Sequence, residues 1–183
     1  MRYREFLAAL RKAQKEAAQH GVQLCLIGGM AVSVWGTPRA TNDVDFLIWH
    51  PDRTGLDRFF RALREAYPES DYFPITEGMI ARSLRVAYPG GLHINWIEPR
   101  YGWQVEMLQR APLIQIGRTA LPVIDVVDLI AMKLKAGGAK GDADASNLFQ
   151  TIRGQPTLVQ RLQDVASRLR VDRKLTRLIH AKR

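Results

Sequence analysis

Cysteine is nearly absent from this chain. Cys25 stands alone, which excludes an internal disulfide and makes the reducing cytoplasm the expected compartment. Its place in the apolar run 22–27 suits a packed thiol better than a reactive one. Long apolar runs are missing as well: none approaches the roughly 20 residues that span a bilayer. Residues 1–5 lead straight into an amphipathic pattern, without the apolar stretch of a signal peptide. No repeat or low-complexity tract occurs. With 46% hydrophobic and 25% charged residues, the composition is that of a chain with a core, not of a disordered one. Acidic residues are outnumbered, 18 against 27 Lys and Arg, for a formal net charge of +9. The excess gathers late: residues 151–183 hold nine Lys or Arg against Asp164 and Asp172. Such a segment attracts polyanions or forms a solvated helix face.

The apolar spacing of Phe6, Leu7, Leu10, Ala13 and Ala17 predicts a helix over 2–20, stopped by His20-Gly21. Residues 22–27 read as a short buried strand, 30–35 as a short helix and 43–49 as a second strand. A helix is expected over 54–67. Strands over 81–87 and 92–98 flank the turn-forming Pro89-Gly90-Gly91, and a hairpin follows over 113–123. From Asp125 the pattern is helical: 126–136, 143–152, 157–169 and 172–181. Strands first and helices later point to an α+β (mixed α/β) fold, a core over residues 1–124 with a basic helical region over 125–183 packed on it.

The chemistry concentrates in residues 28–45. In a strand, Asp43 and Asp45 share a face while Val44 and Phe46 enter the core. Two adjacent carboxylates repel unless a cation or a proton intervenes, and hard oxygens of this kind suit Mg²⁺, or Mn²⁺, with phosphates and water completing the shell. Upstream, Gly28-Gly29 separates a strand from a helix, where bare backbone and the helix N-terminus admit a phosphate. Thirteen residues separate Gly29 from Asp43. The order strand, glycine pair, helix, loop, strand, carboxylate pair would bring both features to one end of neighbouring strands.

Gly28-Gly29-Met30-Ala31, continuing through Arg39-Ala40-Thr41-Asn42-Asp43-Val44-Asp45, resembles the signature of the DNA polymerase β-type nucleotidyltransferase superfamily. Gly28, Gly29, Ala31, Gly36, Arg39 and Thr41 are similar to the AbiEii-like toxin nucleotidyltransferases and related small bacterial proteins. The resemblance implies a small mixed sheet flanked by helices, with a helical C-terminal region. It implies transfer of a nucleoside monophosphate from an NTP, with Mg²⁺, to RNA, protein or a small molecule. Within it Asp43 and Asp45 are the catalytic metal ligands and Gly28 and Gly29 cradle the triphosphate. Two readings stand open for each of the residues before the carboxylates: Arg39 contacts a phosphate or holds the loop through carbonyl bonds, and Thr41 lines the nucleotide or hydrogen-bonds locally in the loop. The toxin members imply an RNA acceptor, tRNA 3′ ends among them, and an antitoxin partner.

Two positions depart from the pattern. A third carboxylate is expected on a later strand, and the aligned residue is Asn95. Three readings stand open: Asn95 is a neutral ligand, Glu98 reaches the site after a bulge, or the enzyme is weakened. An amide brings no charge and is a poor base. Lys133, on a helix before Gly137-Gly138-Ala139-Lys140-Gly141, is expected either to meet a phosphate as a point charge or to be a solvated helix lysine. The Arg usual in that following loop is replaced by small residues. Asp142 is expected to cap the next helix.

Overall fold

Phe6, Leu7, Leu10, Ala13 and Ala17 are all buried, which is why the spacing at the start of the chain folds as helix α1 (Tyr3–Gln19). Gly21, at φ 65°, turns the chain back into β1 (Gln23–Ile27). There follow α2 (Gly28–Trp35), β2 (Asp43–Trp49), α3 (Arg53–Ala66), β3 (Asp71–Phe73), β4 (Ile80–Tyr88), β5 (Leu92–Pro99), α4 (Gly102–Gln109), β6 (Leu113–Ile116) and β7 (Thr119–Pro122). The chain closes with α5 (Val126–Ala136), α6 (Gly138–Ile152), α7 (Pro156–Arg168) and α8 (Asp172–His180). This computed structural model describes residues 3–38, 41, 43–74, 78–88 and 91–180. The chain divides into two units, Met1–Met30 with Ala40–Ile124, and Ala31–Arg39 with Asp125–Arg183. The fold is mixed α/β, as the order of elements implied.

The first unit is built on a five-stranded sheet of order β1-β2-β5-β4-β3, in which only β2 and β5 run parallel. One face carries Phe46 and Trp96, both fully buried, with ring centroids 5.5 Å apart. Phe59 of α3 meets Trp96 edge-on at 5.0 Å. Burial of each such side chain stabilises by roughly 1.5–3 kcal/mol, so the anchor of α3 is aromatic. At the sheet's other margin, Glu16 of α1 accepts hydrogen bonds from the Tyr67 hydroxyl at 2.6 Å and from the Tyr88 hydroxyl. The Lys12 ammonium stands 5.0 Å from the Tyr67 ring centroid. Burial, reinforced by the bond to Glu16, pushes both phenols above their ordinary range. The hairpin β6–β7 joins this unit through a parallel bridge from Val123 to Leu26.

Two elements lie where the sequence suggested only connection. β3 has three residues, all exposed, and is held by pairing with β4; so short an edge strand leaves no period to read. α4 lacks an apolar stripe. Its start is set instead by Gln104, whose buried side-chain oxygen accepts from the backbone N–H of Arg100 and of Tyr101, both at 3.0 Å.

In the second unit, Asp125 caps α5 by accepting from the Val127 N–H at 2.9 Å, and the side chain of Arg161 pairs with it. The expected start of the next helix at Ala143 is corrected to Gly138, and Asp142 lies inside α6 rather than capping it. Gly141, which reads as loop, lies within this helix where space is tight: a Cβ on it would lie 3.0 Å from the Lys133 carbonyl oxygen. Gly137 and Gly138 make the turn at φ 71° and 78°. Part of the late positive charge is turned inward, since Lys174 donates to the Leu134 carbonyl at 2.7 Å; Lys135 of α5 likewise donates to the Leu169 carbonyl at 3.0 Å. No described helix is long and apolar enough to cross a membrane.

Candidate active site

Period-two alternation places the key carboxylates. Val44 and Phe46 are fully buried while Asp43 and Asp45, alternating with them, are part-exposed. β1 runs antiparallel to β2 with Ile27 opposite Asp45, so the end of β1 and the start of β2 share one end of the sheet. Gly28 therefore begins α2 directly beside the Asp45 carboxylate, at φ 67°. A Cβ on Gly28 would stand 1.9 Å from Asp45 Oδ2 and 2.9 Å from Asp45 Cβ, a space no side chain can share. Both the sign of φ and the closeness of the carboxylate demand glycine here. Gly29, next along, is buried.

The parallel partner β5 sets His93 opposite Asp43 and Asn95 opposite Asp45. Asn95 donates through Nδ2 to Asp45 Oδ1 at 2.7 Å. His93 Nδ1 is 4.0 Å from Asp43 Oδ1. The chain then brings in a residue the sequence reading passed over. β4 pairs antiparallel with β5, Arg85 opposite Asn95, and Arg85 Nη2 donates to Asp43 Oδ1 at 2.9 Å. A signal for it existed: once the turn after Tyr88 closes a tight hairpin onto Leu92, counting back along both strands puts Arg85 opposite Asn95.

Glu98 does not join this cluster. The β4–β5 register runs unbroken from Asn95 to Glu98, and Glu98 pairs with Arg82, which also holds Asp57 at 2.6 Å and covers the Phe60 ring at 4.7 Å. The bulge that would have swung Glu98 across is on β4, between Ile80 and Arg82. Thr41 donates its hydroxyl to the Asp43 carbonyl oxygen at 3.1 Å, fixing the entry to β2. Arg39 lies outside the described residues. Lys133 belongs to the second unit, where its ammonium donates to Asp144 at 2.7 Å; that carboxylate is 5% exposed.

Among the described residues, no group of three or more His, Cys, Asp or Glu gathers to hold a metal. The donor set suits one divalent cation: two carboxylates on one face, each giving Oδ1 to an internal donor, with Asp45 Oδ2 beside bare glycine backbone. Among the described residues no third carboxylate joins the pair, and the Asn95 amide faces Asp45 from β5.

No protein-family model matches this sequence, and no curated protein matches it. Solved structures do. An antigenic nucleotidyltransferase-like protein from Paracoccidioides brasiliensis superposes with a TM-score of 0.56 at 18% identity, over 98% of this chain and 94% of that one. The antibiotic-resistance factor ANT(2'')-Ia, in complex with adenylyl-2''-tobramycin, superposes with a TM-score of 0.55 at 11% identity, over 89% of this chain and 95% of its own. The likeness extends over most of each chain, and the fold is that of the nucleotidyltransferases.

Proposed function

We propose that the chain transfers a nucleoside monophosphate from an NTP to an acceptor hydroxyl, with Asp43 and Asp45 at its centre. The observation that carries this reading is the contact between Gly28 and Asp45. A glycine pressed by its φ and by its neighbour against a carboxylate pair, at the start of a helix, makes one pocket of a phosphate cradle and a cation site. The fold likeness agrees with it.

In this reading Gly28 and Gly29 admit the triphosphate to the backbone N–H groups that open α2. Asn95 holds Asp45, and Arg85 holds Asp43, so both carboxylates are oriented before substrate arrives. A Mg²⁺ or Mn²⁺ ion, bound by Asp43 and Asp45, would supply charge neutralisation at the phosphorus oxygens. Thr41 and Arg39 are assigned to the nucleotide side of the site, and Lys133 to a phosphate, a role in which it would exchange Asp144 for the substrate. RNA, tRNA-like in form, is the acceptor we favour, because the last 33 residues carry the basic excess. A toxin role with an antitoxin partner belongs to the same reading and rests on the likeness of residues 28–45 to the AbiEii-like proteins.

A second reading has Asn95 in its favour: a weakened nucleotidyltransferase-fold protein that binds RNA or a partner protein. One experiment separates the two. Purified protein is incubated with Mg²⁺ or Mn²⁺, each α-labelled NTP in turn, and total tRNA, with tobramycin as a small hydroxyl acceptor in parallel. Label is expected on tRNA and lost in Asp43→Ala/Asp45→Ala. Label on neither acceptor with any nucleotide, alongside salt-sensitive RNA binding that survives the double substitution, would hand the case to the second reading.

A further inference from the structure

The carboxylate pair already carries a cation of its own. Asp43 and Asp45 contribute two negative charges, and Arg85 returns one positive charge to Asp43 at 2.9 Å. Asn95, on the adjacent strand, supplies a hydrogen-bond donor where a third carboxylate would have supplied charge. We infer that Arg85 is the built-in counter-ion of this centre: by occupying Asp43 it takes the position a second divalent ion would need, and the site binds a single divalent cation.

Three features support this. Arg85 is fixed by strand register and not by a loop, since β4 sets it opposite Asn95 and Asn95 stands opposite Asp45. Its side chain is 36% exposed and that of Asp43 31%, so the pair is accessible from solvent and screened but not dissolved by it. Charge decides the count. With Arg85 in place the cluster has a net charge of −1, which one dication already reverses; a second would have to bind a cluster that is positive without it. Losing Arg85 or gaining a carboxylate at position 95 moves the balance toward two ions.

The inference rests on the nucleotidyltransferase reading, and the test keeps the two apart. Mn²⁺ alone is titrated into the purified protein and free Mn²⁺ is followed by electron paramagnetic resonance. The wild type should bind one Mn²⁺. Arg85→Gln should bind the first ion about tenfold more tightly, the direction expected when an opposing charge leaves the shell, and Arg85→Gln/Asn95→Asp should bind two. Arg85→Lys, which keeps the charge, should stay at one ion with affinity near wild type, and its circular dichroism guards against misfolding. Two Mn²⁺ ions in the wild type, both lost in Asp43→Ala/Asp45→Ala, would overturn the inference and leave the function standing. So would an Arg85→Gln affinity within twofold of wild type. A single Mn²⁺ whose binding is indifferent to Asp43→Ala/Asp45→Ala would remove the functional reading along with it.

Discussion

Replacing Gly28 by alanine puts a methyl group where the Asp45 carboxylate stands. The new Cβ would lie 1.9 Å from Oδ2, 2.8 Å from Cγ and 2.9 Å from Cβ of Asp45, so the carboxyl group must retreat by about 1.5 Å or more to reach ordinary contact. The backbone adds its own term, because φ is 67° and a left-handed conformation costs an L-residue roughly 1–2 kcal/mol. Relieving the crowding costs about 1–3 kcal/mol more, toward the low end since Asp45 is part-exposed and can swing outward. The expected loss of stability is about 2–4 kcal/mol. Activity should suffer more than stability suggests, because a 1 Å displacement of a positioning group is worth on the order of 10²-fold in rate.

A double-mutant cycle in urea isolates the contact. Wild type, Gly28→Ala, Asp45→Ala and the double variant are unfolded in parallel. Asp45→Ala removes the two carboxyl atoms nearest the new methyl but leaves the 2.9 Å contact with its own Cβ. The strain of φ is common to both backgrounds and cancels. The steric term is therefore relieved in part, and the coupling should be about 1 kcal/mol or more, with the alanine better tolerated when Asp45 is truncated. Additive effects, within about 0.5 kcal/mol, would refute the claim that the carboxylate is what demands glycine at position 28.

Two further outcomes follow from the packing of each unit. The raised phenols of Tyr67 and Tyr88 are neutral in the fold, so the stability they contribute is fully present below the ordinary tyrosine value near 10 and is lost as pH rises above it. Absorbance at 295 nm should show these two of the five tyrosines ionising only as the protein unfolds in alkali, and reversible titration of all five in the folded state would contradict the Glu16 arrangement. In the second unit, Asp144→Ala strands the ammonium of Lys133, whose side chain is 17% exposed, and should cost about 3 kcal/mol in urea unfolding. Lys133→Met/Asp144→Leu should recover most of that loss yet transfer no nucleotide, and recovery of transfer as well would count against a phosphate role for Lys133.

What could be read from the sequence was whatever depends on neighbours along the chain. Asp43 and Asp45 share a face because a strand has period two, and Gly28 is marked by its place between an apolar run and a helix. Both are local facts. Arg85 is not local: it is 42 residues from Asp43, and its arrival requires that β5 insert between β2 and β4 and that the hairpin after Tyr88 close in one register. An alternating segment containing Ser83, Arg85 and Ala87 looks, alone, like the solvated face of an edge strand. β3 and α4 escaped for a related reason, the first held only by its pairing partner and the second started by one buried glutamine side chain. The opposite error occurred at Gly137-Gly138-Ala139-Lys140-Gly141, where glycine content argued for a loop and the close approach of α6 to the Lys133 carbonyl favours glycine within a helix at position 141.

Asn95 shows what such locality means for chemistry. By residue type it is a defect, an amide where a carboxylate was expected. In its register it is half of a pair: Asn95 donates to Asp45 while Arg85 donates to Asp43, so each carboxylate has one oxygen held by a protein group on the strand beside it or the next one out. The substitution and the arginine therefore shift the charge of the centre in the same direction. A lone loss of carboxylate would leave two unscreened acids that still repel one another. Together with the cation from β4 it yields a site that is ordered and carries a net charge of −1 without any ion, which is the state in which Asn95→Asp and Arg85→Gln ought to have effects of the same sign on divalent-cation binding.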